Sequence, residues 1–104
     1  MSTTSIAGHA IDVDDEGFMT TYDEWTEEIG TSLAHAIDID LTEEHWKVIT
    51  FIRGDYKSQG ETPTIRRVSS AGGFDIKQLF RMFPQKPARK MAYIAGLPKP
   101  HGCV

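Results

Sequence analysis

Glycine and proline cut the second half of this chain into short pieces. Gly60, the Gly72-Gly73 pair, Pro84 and Gly96 each fall where a run of apolar residues at helical spacing stops. Glycine favours the left-handed turn that ends a helix, and proline lacks the N–H that would continue one. The pattern predicts several short helices crossing one another, not a few long ones. With 104 residues, 39% of them hydrophobic, the chain suits one domain with a modest core.

Thr42 opens the clearest helix, with Glu43 and Glu44 in its first turn and Trp46, Ile49, Ile52 (or Arg53) and Tyr56 following at helical spacing up to Gly60. Another begins at Thr62-Pro63, with proline as its first helical residue, carries Ile65 and Val68, and ends at Gly72-Gly73. Asp75 is positioned to cap a short helix bearing Ile76, Leu79, Phe80 and Phe83, and Pro87 starts a last one through Met91 and Ile94. Earlier, Asp23 reads as a cap for a helix with Trp25, Ile29, Leu33 and Ile37 on one face, which Gly30 weakens in the middle. Ile11 and Val13 alternate with acidic residues before the turn Asp14-Asp15-Glu16-Gly17, and Phe18-Met19-Thr20 returns as the second arm of a hairpin. The expected fold is mostly α (α+β): a small orthogonal bundle of about five helices with an N-terminal β-hairpin. Residues 1–8 are expected to be disordered, 9–96 to form the helical body and 97–104 a flexible arm. The tryptophans and phenylalanines at helical spacing read as core.

Charge divides the chain. Residues 1–46 hold twelve acidic groups and no Lys or Arg, whereas 47–104 hold all eleven basic groups against three acidic ones. Two attracting halves, or a basic face for a negative partner, both fit that asymmetry. A single cysteine excludes an internal disulfide, and no stretch has the apolar length of a membrane span. The N-terminus lacks the basic start and apolar run of a signal peptide, so the expected location is cytoplasmic. His9, His35, His45 and His101 have no ligand spacing, and no metal site is expected.

The tail carries the chemistry. In Leu97-Pro98-Lys99-Pro100-His101-Gly102-Cys103-Val104 the prolines favour an extended backbone, and the one thiol sits next to the end beside Gly102. A thiol on a tip has no rigid base or oxyanion donor beside it, which suits it poorly for catalysis. It is well placed to be carried into another protein's site, where a thiolate attacks sulfane sulfur through a sulfur–sulfur intermediate. An incidental terminal cysteine is the bland alternative.

These residues carry a resemblance. Ile94-Ala95-Gly96-Leu97-Pro98-Lys99-Pro100-His101-Gly102-Cys103-Val104 resembles the C-terminal signature of the DsrC/TusE family of sulfur-trafficking proteins. Phe83-Pro84, Pro87-Ala88 and Arg89-Lys90 resemble the segment leading into that arm. Leu41-Thr42-Glu43-Glu44-His45-Trp46, Pro63 with Arg66, Glu16-Gly17-Phe18 and Glu24-Trp25 extend the likeness over residues 10–104. The resemblance implies a stoichiometric sulfur carrier more than an enzyme. Cys103 would receive a persulfide from a donor complex of the TusBCD or DsrEFH kind and pass it to an acceptor enzyme, with no other cofactor. Gly96, Pro98, Pro100 and Gly102 would shape the arm. Members working with dissimilatory sulfite reductase have a second arm cysteine eleven residues earlier; here that position is Ala92, which points to the TusE-like branch serving tRNA 2-thiouridine. The stretch 69–79 looks shorter than the family's loop, and a variant carrier in sulfur oxidation is the second option.

Alternatives stay open. Residues 62–71 and 75–83 also resemble a helix-turn-helix, which would make the chain a DNA-binding regulator of sulfur metabolism; a gamma-subunit-like role beside sulfite reductase is a further reading. Arg66, Arg67, Arg81, Arg89, Lys90 and Lys99 are the candidate docking residues, for acidic protein surfaces, tRNA or DNA. The expected state is a monomer without membrane contact.

Overall fold

A computed structural model of the protein describes residues 2–100. It contains a two-stranded antiparallel hairpin, β1 (Ser2–Ile6) and β2 (His9–Val13), followed by five helices: α1 (Glu27–Ala36), α2 (Glu43–Gln59), α3 (Ile65–Gly72), α4 (Ile76–Met82) and α5 (Pro87–Ile94). The expected fold class is what the chain adopts.

The hairpin differs from the reading in register. Residues expected to be disordered supply β1, pairing Ser2 with Val13, Thr4 with Ile11 and Ile6 with His9. The signal was present: Thr3, Thr4 and Ile6 favour extended backbone, and Ala7-Gly8, both at positive φ (52° and 82°), form the two-residue turn that twisted strands prefer. The expected turn at Asp14 also forms. Its carboxylate accepts from the backbone N–H groups of Glu16 and Phe18, both at 2.9 Å, but beyond it only a single bridge, Val13 to Met19, continues the pairing.

The helices start and stop for local reasons. Thr26 and Thr64 cap α1 and α3 by accepting from Ile29 and Arg67 N–H, both at 3.2 Å. Pro63 therefore precedes the α3 cap and is not its first residue, and Asp23 belongs to a 3₁₀ turn (Tyr22–Glu24) ahead of α1. At α2, His45 Nε2 lies 3.0 Å from the Met82 carbonyl, which only accepts, so the proton sits on Nε2. Nδ1 then accepts from the Thr42 N–H and hydroxyl at 3.1 and 2.8 Å, tying the start of α2 to the end of α4. α3 and α4 are joined by a tight turn in which Phe74 packs edge-on to Phe51, and Ser69 Oγ donates to the Phe74 carbonyl at 2.7 Å.

The main core joins Phe18, Val48, Ile49, Ile52, Leu79, Phe83, Met91 and Ile94; a smaller cluster under the hairpin holds Ile11, Val13, Met19, Ile29 and Leu33. Trp25 packs against both. Its indole occupies space that two glycines leave open: a Cβ at Gly30 would lie 2.7 Å from the ring, and one at Gly96 only 2.4 Å. Gly30 thus sits inside α1 without breaking it, because the missing side chain seats Trp25. Gly60 has nothing near it and serves only the left-handed end of α2 (φ 79°).

Alanine at these three positions should separate crowding from conformation. Gly60→Ala should cost about 1 kcal/mol. Gly96→Ala, which adds a clash to a positive φ, should cost about 2–4 kcal/mol. Gly30→Ala should fall between them, since helix propensity offsets roughly 1 kcal/mol of the overpacking. Urea unfolding followed by tryptophan fluorescence gives the order.

Candidate functional site at the root of the arm

The last turn of α5 sets where the tail leaves the body. A helix ends with carbonyls that lack intrahelical donors, and here each finds one. Gly96, at φ 71°, lets the chain double back so that Leu97 N–H reaches the Ala92 carbonyl at 3.0 Å and Gly96 N–H the Tyr93 carbonyl at 3.3 Å, a Schellman closure. Trp25 Nε1 donates to the Ile94 carbonyl and Arg53 Nη1 to the Ala95 carbonyl, both at 2.8 Å. Arg53 is itself held: Nη2 donates to Tyr22 O at 3.2 Å, and the guanidinium lies 3.9 Å from the Tyr22 ring centroid and 4.3 Å from that of Trp25. Burial lowers its pKa, opposed by nearby Tyr22 and Asp23. As a cation it also complements the negative end of α5.

Beyond Gly96 the tail runs along the body. Leu97 is fully buried, the Pro98 carbonyl accepts from Thr62 Oγ1 at 2.8 Å, and Pro100 is buried. Lys99 Nζ sits 3.1 Å from Glu16 in the turn after β2, and Arg89 of α5 reaches the same carboxylate at 3.0 Å. Hydrogen bonds from these two cations lower the Glu16 pKa. The arm expected to swing from residue 97 is therefore seated through Pro100, because Leu97 belongs to the core and Thr62 and Glu16 take the next two residues. Cys103 and Gly102 lie outside the described residues.

The expected docking cations do not form one patch. Arg67 makes a two-pronged pair with Asp55 at 2.9 and 2.7 Å, which lowers the Asp55 pKa and raises its own. Arg89 and Lys99 are paired with Glu16, and Lys90 donates to the Pro84 carbonyl. Arg66 and Arg81 are exposed. A groove of about 500 Å³ opens beside the arm root, with Phe18 and Tyr93 as its apolar wall and Lys86, Arg89 and Lys90 along it; burial raises the Tyr93 pKa. Ala92 is fully buried. Among the described residues no group of three or more His, Cys, Asp or Glu could hold a metal ion, and no helix is long and apolar enough to cross a membrane.

Arg53, Trp25, Thr62 and Glu16 were not singled out as site residues by the sequence. Arg53 offered a faint signal, a charge at a position where helical spacing asked for an apolar residue. Thr62 and Glu16 offered none, since their partners lie 36 and 83 positions away.

Comparison with known proteins adds the following. A family model described as DsrC like protein matches residues 5–104. The chain is 34% identical to the gamma subunit of dissimilatory-type sulfite reductase from Nitratidesulfovibrio vulgaris, covering all of both chains. It is 38% identical to the sulfurtransferase TusE of Photorhabdus laumondii, covering 93% of this chain and 94% of that one. The solution structure of DsrC from Allochromatium vinosum superposes with a TM-score of 0.82 at 34% identity, covering 99% of this chain and 98% of the other.

Two outcomes follow from the geometry. Arg53→Lys keeps the charge but not the fork that spans two carbonyls, so it should cost about 1.5–3 kcal/mol and increase amide exchange at residues 96–98. The Glu16 tie has a depressed folded pKa, so its contribution is present above the ordinary carboxylate value of 4.5 and is lost as pH falls through the lower folded value. The Lys99 amide resonance should therefore titrate with a midpoint below 4.5, and Glu16→Gln should remove that titration.

Proposed function

The chain belongs to the DsrC-like family, and on that premise we propose that it is a sulfur carrier that accepts and hands on a persulfide at Cys103. The observation that carries the reading is the arm root: a rigid four-donor closure at the end of α5 launches a tail whose sole thiol stands next to its terminus. Relatives named as a TusE sulfurtransferase and a sulfite reductase gamma subunit support a part in sulfur relay.

The chemistry is an exchange without net oxidation. The Cys103 thiolate attacks the terminal sulfur of a donor persulfide, the donor's S–S bond breaks, and its thiolate departs as a new S–S bond forms on Cys103. Release to an acceptor repeats the step in reverse roles. With one cysteine in the chain, the bound sulfur has no internal thiol to react with and must leave to another molecule. That favours a relay towards thiolation, as in the TusE branch, over one that closes an intramolecular disulfide. The donor is then a sulfurtransferase and the acceptor a second enzyme, with the carrier acting in the cytoplasm.

Incubation with a persulfide-loaded sulfurtransferase should add about 32 Da, one sulfur atom, to the intact mass. Reductant should reverse it, and Cys103→Ser should abolish it. Equal labelling of the serine variant would refute the assignment.

A further inference from the structure

α4 buries one stripe and exposes another. Leu79 and Phe83, four residues apart, are fully buried, while Ile76 and Phe80, also four apart, are 40% and 50% exposed. They are the large exposed hydrophobics among the described residues, so the expectation that Phe80 belongs to the core is corrected: a helix this short packs only one of its two apolar stripes. Lys77 and Arg81 follow Ile76 and Phe80 along the helix. Both are exposed, and neither has a carboxylate partner among the described residues. The helix is held in place from behind. A Cβ at Gly72 would meet the Phe74 ring at 2.8 Å, so that turn closes tightly against Phe51 before α4 begins.

We propose that the outer face of α4 is a docking surface for an acidic protein partner with an apolar centre. Ile76 and Phe80 would bury against that centre while Lys77 and Arg81 pair with carboxylates at its rim. Exposed aromatic and arginine side chains on a rigid element are what interfaces concentrate at their core. The charge sign selects the partner, since unpaired cations beside an apolar pair repel a basic surface and reward an acidic one. Duplex DNA fits less well: phosphates would engage the cations but set Ile76 and Phe80 against a hydrated polyanion, and Arg67 is already committed to Asp55. A second copy fits less well too. A twofold contact of α4 with α4 would bring Lys77 and Arg81 of both copies together, a like-charge juxtaposition. The proposal rests on the carrier reading only in making the partner a donor or acceptor of sulfur.

The test is an NMR titration of the full-length Cys103→Ser chain, in which sulfur transfer plays no part. The probe is a synthetic helical peptide with Leu at i and i+4 flanked by Glu. Shifts should concentrate at Ile76, Lys77, Phe80 and Arg81. Phe80→Ser, and separately Lys77→Glu with Arg81→Glu, should each weaken binding at least tenfold while leaving the rest of the spectrum in place. The proposal is overturned if a Ser-for-Leu peptide binds α4 equally well, if shifts fall elsewhere, if duplex DNA binds α4 more tightly than the peptide, or if sedimentation shows the chain assembling through α4 with itself. Any of these would leave persulfide loading of Cys103 untouched, and a failure of loading would leave peptide binding intact.

Discussion

The carbonyl end of α5 is the constraint on which the rest of the molecule depends. Four acceptors without helical donors would be costly in a buried place. This chain answers them with two of its own amides, one indole and one guanidinium. Each answer recruits another element. Gly96 must turn left-handed, Trp25 must lie flat between Gly30 and Gly96, and Arg53 must reach across from α2 while stacked on Tyr22 and Trp25. The end of one short helix thus fixes α1, α2 and the 3₁₀ turn relative to one another, and it decides the direction in which the tail departs.

That direction has a functional consequence. A tail free from residue 97 would lose the conformational entropy of eight residues whenever it entered a partner. Seating Leu97, Pro98, Lys99 and Pro100 in advance removes part of that cost. On the proposed carrier reading, a tail seated along the body through Pro100 brings that body close to the partner. On that reading the body and the tip would share the work of recognition, with the surface proposed on α4 acting alongside the thiol.

Much of this was legible in the sequence where the signal was local. The starts and stops of α2 and α5, the end of α3, the turn at Asp14 and the thiol at the tip are written in neighbouring residues. The strand β1 was missed because Ser-Thr-Thr-Ser is equally the composition of a disordered terminus, and only pairing with β2 distinguishes them. The seating of the arm was missed because prolines at alternate positions specify extended backbone without saying whether it is docked. Arg67 and Arg89 read as candidate docking residues since the partners that pair with them, Asp55 and Glu16, lie 12 and 73 positions away. Phe80 read as core because helical spacing marks apolar stripes but does not say how many of them find a neighbour.

Amide hydrogen exchange on the full-length chain at neutral pH tests the central claim most directly, read at the backbone N–H of Leu97. If the α5 closure holds as described, that amide exchanges as slowly as those of the buried α5 residues Met91 and Ala92, although it lies beyond the end of the helix. Exchange at the rate of an unstructured peptide would mean that the arm begins at Gly96, and the account of a fixed launch point would fail.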